Sequence, residues 1–497
     1  MSKQTRRRRF SMKGLKMLKQ KENAWSFLYW ATAAVVLTAT TAGLATPGYA
    51  QSGDGDAAGA KYKLSDDGKV LEEYLDSGDE FAVPDGVEEI APDAFVRGAL
   101  LTRITLPKSV NVVRPGAFDD CASMTSIDVS TDNPDYRAVD GVLFAKDLKT
   151  LLKYPKGRKN ERYVVPKGVE RIGNEAFEDS SSLASIELPE GLVQIGAYAF
   201  YDCSSLTSVA IPTSVAEIEE AAFEGCRALR SVDLPPSLEK ISDSLFEKCS
   251  SLTSIVVPKN VASIGNYAFS GCSALKSVVV PEGVSSIARA SFENCSALTS
   301  VALPKSVASF GRDAFRGCSA LESIVIPEGV VKIGDNSFTA CGSLRSIAVA
   351  KDNPQFSSKD GVLFSKDGKT LLQCPEGMNN EKIDVPASVE KIGVFAFANC
   401  SQIKSIIVPN SVKELGNGAF LNCSALTSID VPEGVAEIGT STFEGCSSLT
   451  TVSIPQSVQN ISTYAFDQND GLTIRAPKGS YAEQYADENG IKYEPLE

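Results

Sequence analysis

The sequence predicts a repeat solenoid of parallel β-strands joined by short helical or 3-10 turns, with about fourteen 23-residue coils and two longer, hairpin-bearing repeats. Three observations predict it. A marker phenylalanine occurs in phase in fourteen copies from Phe95 to Phe466, every spacing being 23 residues except Phe118 to Phe177 and Phe338 to Phe397, which are both 59. The third residue after the marker is Cys in eleven of the fourteen copies. The two long spacings hold near-copies of one insert, at 132–157 and 352–377. Self-similarity at a fixed period of this length marks a stack of supersecondary units, because one such unit cannot bury its own apolar face.

From the N-terminus, residues 1–50 read as a signal peptide or an N-terminal membrane anchor. Nine Lys/Arg precede an apolar run at 24–45, and Gly48 and Ala50 are small residues placed for signal-peptidase cleavage after Ala50. The run is also long enough to span a bilayer, so an uncleaved anchor stays open. In both cases the positive-inside bias places the rest of the chain outside the membrane. Residues 51–60 (QSGDGDAAGA) read as a flexible linker, and 61–82 as an N-terminal cap with strand character.

The solenoid is assigned to 83–478. In the unit from Cys272 to Phe292, Leu275, Val278 and Val280 are the inward positions of a short strand, while Ser277 and Val279 face out. Pro281 stops the strand and Glu282-Gly283 turn the chain. Val284 and Ile287 rejoin the core on the opposite wall, and Ala290 to Phe292 start a tight helical or 3-10 turn that plugs the coil with a ring. Stacking such coils at the ~4.8 Å strand spacing gives an array on the order of 70 Å long. The long inserts fall near 127–162 and 347–382. In the second, Lys366-Asp367-Gly368-Lys369 between two apolar runs signals a hairpin. Residues 479–497 read as a C-terminal cap, with a short helix capped by Ser480 and a final strand at 491–493.

Charge and composition narrow the function. A formal net charge of −13 overall and +8 over residues 1–50 leave −21 on the exported part, which repels phosphate backbones, so no nucleic-acid partner is expected. The chain has no histidine, which removes His-based acid/base chemistry, His-activated nucleophiles and imidazole metal ligands. No phosphate-binding loop and no C-x-x-C metal spacing occurs, so no catalytic residue, metal site or cofactor is assigned. The cysteines are expected to be free, buried fillers and weak hydrogen-bonders rather than disulfides. The uninterrupted runs Cys203–Cys341 and Cys400–Cys446 hold seven and three, and in-register Cβ atoms lie wider apart than a disulfide favours. Cys374 lies off this ladder and is expected to be the most exposed. A serine ladder from Ser126 to Ser428 is read as small outward strand residues.

The repeat L-x-S-I-x-(I/V/L)-P-x-x-V-x-x-I-G-x-x-A-F-x-x-C, the D-G-V-L-F…K-T-L-L insert and the G-S-Y-A-E-Q-Y-A ending resemble the BspA-like, or treponemal-type, leucine-rich-repeat family over about residues 83–493. The resemblance implies a parallel-strand leucine-rich-repeat solenoid on a microbial surface, with roles in adhesion to host matrix proteins, host cells or other microbes. That family has no fixed catalytic or binding motif, so no residue role carries over.

Two positions after each ladder serine lies the other outward strand residue. Asp128, Glu187 and Asp233 stand there early in the chain and Asp430 late, whereas Val256, Val279, Ala302, Val325, Ala348 and Ile407 form an apolar stripe between them. These six are the candidate binding residues, since an exposed apolar strip marks a protein-interaction surface; simple β-propensity at a surface position is the competing explanation. The sequence therefore points to a secreted or cell-surface, non-catalytic protein that binds a protein ligand, a host extracellular-matrix or microbial surface protein. It would meet the membrane only through an uncleaved N-terminal segment. The alternative is a non-catalytic structural or spacer protein of the cell envelope.

Overall fold

Three stacked ladders of hydrogen bonds run from coil to coil. The computed structural model describes residues 61–496, within a unit spanning Gly55–Glu497. The leader, the cleavage site at Ala50 and the 51–60 linker lie outside the described residues.

The front wall is built of short parallel strands that begin at the ladder serines. Ser185–Glu187, Ser208–Ala210 and Ser231–Asp233 pair in register, Ser on Ser. The alternation of Val278 and Val280 inward with Val279 outward follows from the two-residue period of a strand. The back wall consists of two-residue strands such as Gln194–Ile195 and Glu217–Ile218, whose isoleucines point inward in register.

The third wall corrects the expected helical turns. Among the described residues a 3-10 helix occurs at Gly98–Leu100 and an α-helix at Tyr481–Asn489. Around the marker rings from Phe177 to Phe443 the chain makes hydrogen-bonded turns, with left-handed residues two positions on either side of the ring. Ala221 and Gly225 (φ 52° and 74°) flank Phe223, and Ala290 and Asn294 (φ 51° and 58°) flank Phe292. This twist aims alternate N–H groups along the stack. Phe200 N donates to Ala222 O (2.8 Å), Phe246 N to Ala268 O (2.9 Å) and Phe269 N to Ser291 O (2.8 Å). The second position after the ring is Gly, Asn or Asp in most coils, the residues that tolerate φ > 0 best.

Inside, the rings stack. From Phe177 to Phe338, successive centroids lie 5.0–5.9 Å apart and within 14° of parallel. Phe397, Phe420, Phe443 and Phe466 form a second stack. Nine of the ladder thiols donate a weak bond to the carbonyl of the preceding coil's Phe, as Cys272 Sγ does to Phe246 O (3.1 Å), while Cys400 Sγ reaches Cys374 O (3.8 Å). In the last coil Asn469 Nδ2 makes the same bond to Phe443 O (2.8 Å). All twelve cysteines are free and buried.

Each insert is a three-stranded antiparallel meander that rejoins the back wall. Tyr136–Val139, Val142–Ala145 and Thr150–Lys153 pair in sequence, and the last pairs in parallel with Arg171–Ile172. Phe356–Lys359, Val362–Ser365 and Thr370–Gln373 repeat the arrangement 220 residues on. The middle strand is a partition. Leu143 packs with the N-terminal core, while Val142 and Phe144 pack with the central core. Leu363 packs with the central core, while Val362 and Phe364 pack with the C-terminal core. A strand buried on both faces needs a continuous apolar run, and Val-Leu-Phe in both copies is that run.

The meander also resets the ladder. Tyr154 stands 23 residues before Phe177 and stacks on it (5.1 Å). Cys374 stands 23 residues before Phe397 and is fully buried, so it occupies the ring position of its coil and is not the exposed cysteine expected of an off-ladder residue. Three residues later, where coils carry Cys, stand Gly157 and Gly377, and a Cβ there would collide with the backbone of the preceding coil.

Buried Asn353 anchors the second insert. Its amide donates to Pro327 O (2.7 Å) and Val330 O (2.8 Å) and accepts from Gln355 N (2.9 Å) and Phe356 N (2.8 Å). Asn133 makes the same four bonds in the first copy. Replacing Asn353 by Ala strands two buried carbonyls and two part-buried N–H groups, so Asn353→Ala is expected to cost about 3 kcal/mol, read as a lower urea midpoint. A change within ~0.5 kcal/mol, typical of a neutral surface substitution, would show that the anchor is dispensable.

At the ends, Tyr62–Leu64 and Val70–Tyr74 form an antiparallel hairpin, and Glu80–Ala82 opens the front wall. The Tyr481–Asn489 helix follows Ser480, whose hydroxyl accepts from Glu483 N, and Lys492–Pro495 adds the last front strand.

Candidate functional site

The front wall places five of the six stripe residues in consecutive coils. Val279 is registered on Ala302 and Val325 on Ala348. The valines are far out of the core: Val256 is 79% exposed, Val279 69% and Val325 58%. Val279, Ala302, Val325 and Ala348 lie on front strands, Val256 on an extended segment outside the regular ladder, and five coils at ~4.8 Å spacing make a strip on the order of 20 Å long, the scale of one side of a standard protein interface. Ser254, Ser277, Ser300 and Ser323 run beside it, all exposed. Small neighbours leave the valines standing proud.

The stripe does not continue unbroken to Ile407. Lys382–Asp384 supplies an additional front strand, in which Asp384 is registered on Ile407 and exposed. The second insert also intervenes, its Gly361 carbonyl accepting from Ile347 N. Asp384 escaped the sequence reading because the 59-residue spacing hides a coil that lacks the Phe marker. The signal that finds it is Cys374, 23 residues before Phe397. Ala50, the assigned cleavage site, lies outside the described residues.

Toward the N-terminal end the same outward position is acidic and partly neutralised. Arg103 bonds Asp128 (2.7 Å), and Arg162 bonds Glu187. The strip is thus an apolar centre with charged ends.

The thiols are poor nucleophiles and poor ligands. Burial pushes Cys121 up to about 12 and raises Cys203, Cys226, Cys249 and Cys295 well above the ordinary thiol value. Reactive cysteines require the opposite shift. Among the described residues one trio of carboxylates converges, Asp119, Glu175 and Glu178 beside the first insert. The Lys153 ammonium sits among them, 3.4 Å from Glu178 and 3.7 Å from Asp119, and donates to the Glu175 carbonyl at 3.0 Å. The corresponding positions in the second copy are Thr339, Phe395, Ala398 and Gln373, so the fold does not require these charges.

The trio gives a pH signature. Glu178 is pushed up to about 7, chiefly by burial, with Asp119 adding to the shift and Lys153 opposing it. Burial also raises Asp202, Glu224 and Glu376. A carboxyl whose folded value exceeds its unfolded one holds its proton more tightly when folded. Its contribution is complete below the unfolded value and is lost as pH rises through about 7. The chain is therefore expected to be more stable at pH 5 than at pH 8, with Glu178 contributing on the order of 2 kcal/mol. Urea midpoints at the two pH values test this, and Glu178→Gln should flatten the difference. A midpoint that rises from pH 5 to pH 8 would contradict it.

The amino-acid sequence matches the BspA type leucine rich repeat region in six copies, over residues 74–141, 156–275, 239–360 and 374–486. The chain belongs to the BspA-type leucine-rich-repeat family. A BspA-type assignment agrees with the stacked front, back and turn walls. Among solved structures, the chain is similar to a leucine rich cell surface protein from Faecalibacterium prausnitzii, with 29% identity and a TM-score of 0.53 over 72% of this chain and 98% of that one. It is also similar to a leucine-rich repeat protein from Eubacterium ventriosum (28% identity, TM-score 0.46, 48% and 64% covered) and one from Bacteroides ovatus (24% identity, TM-score 0.44, 88% and 98% covered). No curated protein matches. No helix among the described residues is long and apolar enough to cross a membrane.

Proposed function

We propose that this BspA-type protein is exported to the cell surface and binds another protein through its front wall, in adhesion to host matrix, host cells or other microbes. One observation carries the reading: Val256, Val279, Ala302, Val325 and Ala348 present an apolar strip over consecutive coils, with acidic residues at the same outward position beyond its ends. Exposing that strip to water without a partner brings no folding benefit, because these side chains point away from the core. The F. prausnitzii relative, described as a cell surface protein, supports the location. The basic leader ahead of an apolar run supports export.

The test is capture of matrix and bacterial surface proteins by the full chain, compared with a Val279→Lys/Val325→Lys double variant. Both substitutions are outward, so the circular dichroism spectrum and unfolding midpoint should hold, while affinity for a captured protein should fall at least tenfold, as for loss of central interface contacts. Undiminished affinity in the double variant removes the front wall from the account. N-terminal sequencing of the exported form should start at Gln51 if the leader is cleaved after Ala50.

A further inference from the structure

The two inserts are internal copies, and where they differ the second opens a cavity. In the first copy, Tyr154 and Tyr163 pack edge to face (4.9 Å) in the space between the partition strand and the next front strand. The Arg158 guanidinium lies over Tyr154 (5.3 Å from its centroid), with Nε donating to Thr125 O (2.8 Å) and Nη2 to Asp140 O. In the second copy the corresponding residues are Cys374, Ile383 and Met378. Both rings and the guanidinium are gone: Cys374 and Met378 are buried in the C-terminal core, and the smaller Ile383 stands where Tyr163 does in the first copy. A cavity of about 220 Å³ opens there, floored by Val362, Phe364 and Ile383. It is below the ~300–1,000 Å³ of ordinary small-molecule sites and above the ~150 Å³ that admits benzene. By volume it can hold one aromatic ring.

Its mouth is on the front wall, between Ala348 and Ile407, where the binding stripe is interrupted. The rim holds Lys359, Asp360, Lys382 and Asp384. Lys382 is paired with Asp384 (3.1 Å), whereas no hydrogen bond or ion pair within the described residues engages the side chains of Lys359 and Asp360. A cation and an anion thus stand available beside an apolar floor. This combination suits a ring flanked by polar groups of both signs.

We propose that the second insert is a receiving pocket for one aromatic side chain, Phe or Tyr, of the protein that lies on the front wall. The occupant is argued from the molecule itself: the first copy fills the equivalent space with its own tyrosines. This inference rests on the reading of the front wall as a protein-binding face, but the pocket can be tested without the partner.

The probe is para-cresol, the tyrosine side chain as a free molecule, titrated into the full chain and followed by ligand-observed NMR. The parent chain should bind it saturably, and Ile383→Tyr, which restores the first copy's ring, should weaken binding at least tenfold. Tyr163→Ile should add a second site of similar affinity, an arm that stays informative if Ile383→Tyr fails to fold. Absence of saturable binding to the parent, or binding untouched by both substitutions, overturns the proposal. The Val279→Lys/Val325→Lys variant should bind para-cresol normally, so failure of the stripe and failure of the pocket are told apart.

Discussion

Leu363→Asp is expected to unfold the block between the two inserts. Leu363 is 2% exposed and packs in the central core, so an aspartate there buries a charge among apolar side chains. Such changes cost at least ~3–5 kcal/mol. Phe364→Asp is expected to cost as much but to open the other side, because Phe364 packs with the C-terminal core. Hydrogen exchange separates the two: the first variant should lose protection at residues before the second insert, the second variant at residues after it. By contrast Val279→Asp, an outward change on a front strand, should leave protection intact. Equal tolerance of Asp at 363 and at 279 would mean that Val362–Ser365 is an ordinary edge strand and not a partition.

Removal of one ring from the middle of the stack is the second large effect. Phe269 is fully buried, with neighbouring rings at 5.7 Å and 5.3 Å. Truncation to Ala removes apolar burial, leaves a cavity and breaks two offset stacking contacts. Phe→Ala in a core costs ~3–5 kcal/mol, and each stacking contact adds ~0.5–1.5 kcal/mol beyond burial. Relaxation can occur only along the stack, since the front and back ladders fix the coil spacing. Phe269→Ala should therefore lower the urea midpoint more than Cys272→Ala, which removes a small side chain and one weak sulfur bond. The reverse order would place the stabilisation in the thiol ladder.

Much of this was legible in the sequence because a solenoid maps period onto space. The 23-residue recurrence placed Leu275, Val278 and Val280 inside and Val279 outside without any tertiary information. The turn wall was not legible as such. Its alternation of right- and left-handed residues is accommodated by Tyr198, Ser244 and Tyr267 as well as by glycine, so composition signalled it weakly. The inserts were read as hairpins that stay in the stack, as the meanders are. Their role as partitions is not legible because a run of three apolar residues, Val-Leu-Phe, fits a strand covered on both faces and a short buried helical segment alike. The reading of Cys374 as exposed had the same origin. A Phe marker alone does not reveal a coil whose ring position holds Tyr154 or Cys374, and such a coil merges with the insert before it. Its front strand, with Asp384, was lost from the stripe with it.

The claim that the front wall carries the function is tested most directly by the hydrogen-exchange footprint of a captured protein on the full chain. Slowed exchange at 277–280, 300–303 and 323–326, with the back-wall strands Ser286–Ile287, Ser309–Phe310 and Lys332–Ile333 unchanged, is the predicted result. Protection confined to the back wall or to the turns around the rings, with the front strands exchanging as in the free chain, would contradict it.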